Sequence, residues 1–403
     1  MTSSVPKSQL GSRGLILSVA LIAMIGPFSI DTYLPAFPSI EAELLVSRAA
    51  LSQTLSAYLV GFAVMTLFWG PFSDRYGRRR IMLGAIFLYA MASLLCAFAT
   101  SFESLMLARS LQGVAASGGF VASRATIRDA FDSIGAQKAM ARVMMLFSLA
   151  PAIAPIIGGW LHALAGWRSI FWFLTSYGLL ALWLVLLRVP ETLPVTARRS
   201  FHPRYVLGIY RDILSRLRFL LLVMSLGIGF GGLFLYIAGA PTVIFDFLGL
   251  GSDDFWVQFV PVTFGILAGS LLANRLIHQL SPIRTVTTGF IIIAIACLSN
   301  LAQAFWLAPT VLTVIAPIVV YATGLTIAMP GITIAALDCF PQNRGAAAAM
   351  QSFFQMLLNA AVAGMLVPLL HDELVWFVAG QLGCFLAAWL CWHLAHQFGS
   401  STP

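Results

Sequence analysis

Twelve runs of mostly apolar residues divide this chain of 403 residues, and they fix what it can fold into. Their approximate spans are 14–37, 50–70, 81–99, 104–127, 138–163, 169–188, 219–241, 255–277, 283–303, 308–337, 344–368 and 374–396. A helix rising about 1.5 Å per residue needs about 20 such residues to cross about 30 Å of hydrocarbon. Hydrocarbon gives the backbone no hydrogen-bond partners, so a spanning segment must satisfy its own, as a helix does. Barrel strands would alternate in short segments, and these runs do not. The alternative of a soluble fold needs a charged exterior, yet only 9% of the residues are charged and 60% are hydrophobic. The expected class is an all-α membrane protein with twelve transmembrane helices.

A net charge of +8 raises the question of a nucleic-acid partner, but topology accounts for it. With the N-terminus in the cytoplasm, the 23 Lys and Arg residues divide into 20 at cytoplasmic positions, 2 outside (Arg48 and Arg168) and 1 embedded (Arg109). The 15 acidic residues divide into 6 inside, 8 outside and 1 embedded (Asp31). Basic residues gather on the cytoplasmic side of membrane proteins, so this split sets the orientation, with both termini inside. No nucleic-acid partner is expected. The first run follows Lys7 and Arg13 but lacks a small-x-small cleavage site, so it reads as a retained span.

The longest polar interruption, Val189 to Arg218, falls with six runs before it and six after. Two six-helix halves are therefore expected: 1–188, a cytoplasmic linker over 189–218, and 219–403. The second half repeats the first only faintly. "SDRYGRRR" follows the second run, and "ANRLIHQLSPIR" follows the eighth, with Asn274-Arg275 in the place of Asp74-Arg75. Paired repeats of this kind build many transporters.

Ionisable residues within spans are expensive and mark function. Asp31 lies in "IDTYLPAFP" and Arg109 in "LMLARSLQG". Counted from the expected span ends, both sit about 8–9 Å below the outer surface. Their pairing, direct or through water, is either a fixed bridge between helices or a proton site. Desolvation favours the neutral acid, and a nearby guanidinium favours the carboxylate. The fifth run holds "APAIAPIIGGW": Pro151 and Pro155 remove backbone donors, and Gly158-Gly159 permit close helix approach. That is more than one kink requires, and it suggests a bend that opens or seals a cavity on the outer side. Gln351, Gln355 and Asn359 recur every four residues and share one helix face, either bonding between helices or lining a polar path. Tyr33, Tyr58, Tyr236 and Tyr321 offer rings and hydroxyls to a ligand, or simply pack.

Other chemistries lack their residues. The two lysines, Lys7 and Lys138, lie in no Walker A loop, and no nucleotide-binding domain follows the spans. There is no HExxH among six histidines and no GxSxG elbow. The five cysteines form no CxxC pair, so free thiols and no metal site are expected. The chain reads as no enzyme, with no cofactor.

"GPFSDRYGRRR" packs Asp74, Arg75, Arg78, Arg79 and Arg80 into the turn between the second and third runs. In spacing and place it resembles the signature loop of the major facilitator superfamily. That resemblance implies a fold of two six-helix bundles and a cytoplasmic gate made of Gly70, Asp74, Arg75, Gly77, Arg78 and Arg79. Charged hydrogen bonds near helix ends make a latch that can be undone. "LARSLQGVAASGG" is similar to the family's fourth-helix motif, with Arg109, Gln112 and Gly113 in place, and implies a part for Arg109 in proton transfer. "APAIAPIIGGW" is similar to the antiporter motif of the fifth helix, although Ala154 stands where glycine is common. "IDTYLPAFP" resembles the first helix of drug:proton antiporters of the bicyclomycin and chloramphenicol resistance (Bcr/CflA) type, which implies proton coupling at Asp31.

The expected function is a proton-coupled efflux transporter, an antiporter exporting small amphipathic drugs such as amphenicols or bicyclomycin-like compounds by alternating access. The proton gradient would supply the energy. Its partners would be that substrate, protons and the lipid bilayer, and it would act as a monomer in the bacterial inner membrane. A dedicated exporter of a natural metabolite such as a purine or nucleoside, a proton-coupled importer and a non-transporting membrane sensor are the alternatives. A substrate cavity would draw on Tyr33, Tyr58, Gln112, Tyr236, Tyr321, Gln351, Gln355 and Asn359.

Overall fold

A computed structural model describes residues 12–198 and 203–397. Lys7 and Arg199 lie outside the described residues. Twelve long helices follow one another: α1 (Ser12–Asp31), α2 (Arg48–Tyr76), α3 (Arg78–Ala97), α4 (Phe102–Ala130), α5 (Ser133–Ala165), α6 (Arg168–Arg188), α7 (Leu217–Ala238), α8 (Trp256–Ile277), α9 (Pro282–Trp306), α10 (Val311–Leu337), α11 (Arg344–Ala361) and α12 (Leu374–Gln397). Eleven spans pass on length and apolarity alone. The remaining helix is α4, which carries Arg109 and Gln112 and buries them against α2 and α3 rather than facing lipid. Short polar caps start several helices. Ser47 accepts from the Ala50 N–H, Asp132 from Gly135, and Ser101 with Ser104 forms a capping box.

The first span differs from its expected end at Phe37. Beyond Asp31 the chain makes one short turn, Leu34–Ala36, and a further helix, Phe37–Leu44. Pro35 and Pro38 occupy first-turn positions of these elements, where a missing N–H costs nothing, so they start helices rather than stop one. Asp31 therefore sits 13 residues before the end of this segment at Leu44, deeper than a count to Phe37 gives.

The pairing of helices repeats with an offset of six. In the first half α1 packs on α4, α5 and α6, α2 on α4, and α3 on α4 and α6. In the second half α7 packs on α10, α11 and α12, α8 on α10, and α9 on α10 and α12. The halves meet along α2 with α11 and along α5 with α8, a pair of contacts that the same offset exchanges. Glycine makes the equivalent crossings. Gly61 would place a Cβ 2.6 Å from the Ser110 carbonyl, and Gly265 one 2.6 Å from that of Val319. Small residues let helix backbones approach where lipid gives no hydrophobic drive. The repeat is thus far clearer in packing than in the echo at Asn274-Arg275, and both of those residues are exposed.

At Gly113 an added Cβ would collide with the backbone carbonyl of Tyr58. Gly113→Ala is expected to destabilise the protein by about 1–3 kcal/mol through overpacking. A lower thermal unfolding midpoint of the detergent-solubilised protein would register it.

Candidate functional site

Arg109 is fully enclosed, at 0% exposure, on the face of α4 that meets α1 and α2. Its guanidinium carbon lies 4.8 Å from the Tyr33 ring centroid and 4.7 Å from that of Tyr58. Desolvated cation–π contacts of this kind contribute about 2 kcal/mol. One Nη donates to Gln112 Oε1 at 2.5 Å. Gln112 passes the chain on, donating to Ser93 Oγ at 2.7 Å, and Ser93 donates to the Tyr89 carbonyl at 2.8 Å. Among the described residues the Nε and the second Nη of Arg109 have no hydrogen-bond partner, and neither does the buried Tyr58 hydroxyl. Tyr33 bonds Thr54 at 3.0 Å.

Asp31 closes α1 at 4% exposure and makes no hydrogen bond or ion pair among the described residues. It does not pair with Arg109, so the direct bridge is absent here. What holds this break in α1 is α5. An added Cβ at Gly158 would strike the Thr32 backbone, one residue beyond Asp31. On the next residue, Gly159 lies against the second half, where a Cβ would stand 2.8 Å from the Ser252 carbonyl. Pro155 and Ala154 are buried on the same helix, and Pro151 is half-buried. Two consecutive glycines therefore touch the acid-bearing break on one side and the opposite half on the other.

The GPFSDRYGRRR stretch forms a closed cluster at the Arg-rich end. Arg78, 4% exposed, meets Asp74 at 2.6 Å, Asp129 of α4 at 3.0 Å and Ser73 at 2.5 Å. Its backbone N–H donates to Glu191 of the linker at 2.9 Å. Gly77 has a φ of 102°, which favours glycine, and Glu191 fills the space a side chain would need. Arg79 donates to the Leu186 carbonyl at 2.8 Å. Arg75 is exposed and rests on the Tyr76 ring at 5.1 Å, outside the cluster, and Gly70 is half-buried in α2. Asp129 and Glu191 escaped the sequence reading, because each lies far along the chain from the motif.

Side-chain hydrogen bonds and ion pairs that join the two halves directly, among the described residues, all lie at the opposite end. Arg48 bonds Glu41 at 2.9 Å and also reaches Asp246 of the second half. Gln53 donates to the Gly364 carbonyl at 2.5 Å and Ser56 to that of Ala360 at 2.9 Å. Ala360 precedes, and Gly364 lies within, a wider helical turn, Val362–Leu366, that continues α11. Arg168, the other basic residue expected outside, pairs with Glu43 at 2.5 Å. At the Arg-rich end the nearest link is indirect, through the linker helix Pro203–Ser215, whose Tyr210 donates to the Leu67 carbonyl at 2.8 Å. The direct polar seal between the halves therefore lies at the far end, and at the Arg-rich end the linker helix reaches the first half instead.

In the second half the tyrosine hydroxyls are already engaged. Tyr321 donates to the Gly229 carbonyl at 2.8 Å, and Tyr236 accepts from Asn300 at 2.9 Å. Asn300 also donates to Gln381 at 2.9 Å, a network no short motif announced. On α11, by contrast, capacity is unused. Among the described residues Gln351 Oε1 and Asn359 Oδ1 are buried without partners and Gln355 makes no hydrogen bond, while Gln351 Nε2 donates to Thr333 Oγ1 at 3.5 Å. Arg124 was counted with the cytoplasmic charges. It sits within α4, exposed and without an ion pair, its guanidinium 4.1 Å from the Phe120 ring centroid.

Twelve helices in two repeated halves, sealed at one end around enclosed ionisable groups, make a membrane transporter rather than an enzyme. The model of the Major Facilitator Superfamily matches residues 19–368, and the chain belongs to that family. It is 31% identical over 384 residues to an uncharacterized MFS-type transporter, YdgK, of Bacillus subtilis (strain 168), spanning 92% of this chain and 94% of that one. It is 30% identical over 264 residues to a bicyclomycin resistance protein homolog of Haemophilus influenzae, 66% of each chain. Multidrug resistance protein D of Escherichia coli (strain K12) is 25% identical over 390 residues, 95% of this chain and 97% of that one. The fold matches a bacterial homolog of the human lysosomal transporter Spinster with a TM-score of 0.73 at 16% identity, covering 98% of each chain.

Breaking the seal should favour the alternative form. With the five native cysteines replaced by serine, Asp246→Asn is expected to raise the reactivity of Ser56→Cys toward an impermeant maleimide. The rise should be about two- to fivefold, the population shift that one partly exposed ion pair supports.

Proposed function

We propose that the protein is a proton-coupled antiporter that exports small amphipathic drugs, of the amphenicol or bicyclomycin kind, from a bacterial cytoplasm. The observation that carries this reading is Asp31: an enclosed carboxyl with no cation against it, at the break in α1 that Gly158 touches. Relatives named for bicyclomycin and multidrug resistance support the substrate class. The 20 to 2 division of basic residues supports an orientation with the Arg-rich end and both termini in the cytoplasm of the inner membrane.

Enclosing an ionised carboxylate is costly unless it is paired. A proton on Asp31 removes that cost and stabilises the form sealed at the outer end. Loss of the proton to the cytoplasm leaves an unpaired charge, and movement of α1 relieves it by reaching water or Arg109. Because Gly158 bears on Thr32 and Gly159 on Ser252, such movement is transmitted to the outer seal. The cluster of Asp74, Arg78, Asp129 and Glu191 would close the cytoplasmic side in the other form, with Arg75 free to join it. The side-chain oxygens of Gln351 and Asn359 and the amide of Gln355, unpartnered among the described residues, together with the Tyr58 hydroxyl, are the groups left to meet a substrate. No covalent step is involved, and one monomer holds every part.

Uptake of amphenicols, dyes and purines into everted vesicles under an imposed pH gradient tests this. Wild type is expected to accumulate an amphenicol-type compound, and Asp31→Asn to fall to the level of uncoupled vesicles. Full gradient-driven uptake in the variant would remove Asp31 from the mechanism. Accumulation of purines alone would replace the drug exporter with a metabolite exporter.

A further inference from the structure

The outer flank of the second half carries a groove that the transport reading does not use. Two hollows of about 400 and 330 Å³, the first between α9 and α12 and the second reaching Arg218 of α7 and Gly331 of α10, share Ile283, Trp392 and His396. Neither α9 nor α12 packs on the first half, and Ile291 and Trp389 on the groove wall are exposed, so this face meets lipid. Along α9 the groove runs from Ile283 to Ala294 and along α12 from His396 back to Phe385. Eleven residues of helix span about 16 Å. That is half of a hydrocarbon core of about 30 Å, the depth of one leaflet.

The groove is also graded in polarity. Phe290, Ala294 and Phe385 line the deep part, with no ionisable group. At the Arg-rich end it is closed by Arg218 and His396. Arg218 is exposed and makes no ion pair among the described residues, while Asp338, at the end of α10, is taken by Arg344 at 2.6 Å. His396 Nδ1 donates to the Trp392 carbonyl at 3.1 Å, so its Nε2 donates to an anion only as imidazolium, and Arg218 is the fixed charge. The indole N–H groups of Trp389 and Trp392 have no partner among the described residues and suit the glycerol and phosphate level, where Trp is enriched. A fixed cation over an apolar channel one leaflet deep matches one kind of molecule.

We propose that this groove binds an anionic phospholipid of the leaflet at the Arg-rich end, its acyl chain between α9 and α12 and its phosphate on Arg218. Native mass spectrometry of the full-length protein in detergent, with phosphatidylglycerol and phosphatidylethanolamine supplied at equal concentration, tests it. Phosphatidylglycerol adducts should dominate on wild type. Arg218→Gln should weaken phosphatidylglycerol binding about fivefold, the effect of one basic residue at an anionic surface. It should leave phosphatidylethanolamine binding unchanged. Ala294→Phe, which fills the deep part, should weaken both lipids. Arg275→Gln, an exposed arginine of the same end outside the groove, should change neither. Each variant is compared with wild type by thermal midpoint, so misfolding is seen separately. The proposal is overturned if both groove variants keep wild-type phosphatidylglycerol binding. An equal loss in Arg275→Gln, or displacement of the bound lipid by inorganic phosphate, would overturn it as well.

Discussion

A guanidinium without access to water, and without a carboxylate to answer it, is the constraint from which the first half is built. Arg109 is tolerated because two tyrosine faces flank it and Gln112 accepts from it. Those contacts recruit α1, α2 and, through Ser93, α3, so four helices are referenced to one charge. Two of its nitrogens stay unpartnered, and leaving such donors unmade is costly in a low dielectric. The packed state thus retains an unfilled demand for an acceptor. Asp31 holds the complementary demand on α1. Keeping these two apart in one conformation, rather than joined in a permanent bridge, leaves a free-energy difference for a second conformation to use.

The joint between that pair and the rest of the molecule is the Gly158-Gly159 step. One glycine lies on the chain beside Asp31, and its neighbour lies on the second half. Successive helical residues point about 100° apart, so a single helix position addresses two bodies. Any larger residue at either place would push α5 off one of them. The seal around this joint is made of a few polar contacts, Arg48 to Asp246, Gln53 to the Gly364 carbonyl and Ser56 to the Ala360 carbonyl, each individually weak. Weak contacts suit an interface that parts in the proposed transport cycle. The repeat of helix pairings between halves supplies the matching geometry, because the α2–α11 and α5–α8 contacts are equivalent interfaces.

Much of this was readable from residue order. Apolar run length gave the spans, since lipid admits few alternatives, and the eleven-residue motif at Gly70 marked a helix break that Gly77 makes with its positive φ. Where the reading stopped, the cause was distance along the chain. Asp129 and Glu191 complete the Arg78 cluster from 51 and 113 residues away. Ser93 joins Gln112 from 19 residues away and belongs to no motif. The extension of the first span to Leu44 was hidden by Pro35 and Pro38, which terminate a helix in one register and begin it in another. Arg124 counts with the cytoplasmic charges although it falls inside the 104–127 run, and α4 extends past it to Ala130. In the second half, amides such as Asn300 and Gln381 bond one another across helices, and no spacing along one helix reveals such a pair.

The most direct test of the account is whether the charge on Asp31 selects which end is open. Nitroxide labels at Leu45→Cys and Leu369→Cys report the sealed end, and labels at Arg80→Cys and Arg275→Cys report the Arg-rich end; all four positions are exposed. Double electron–electron resonance in nanodiscs at acid and alkaline pH would follow both distances. The account predicts that raising the pH lengthens the first distance and shortens the second, and that Asp31→Asn stays in the acid form at every pH. A pH response that survives in Asp31→Asn, or two distances that change in the same direction, would contradict it.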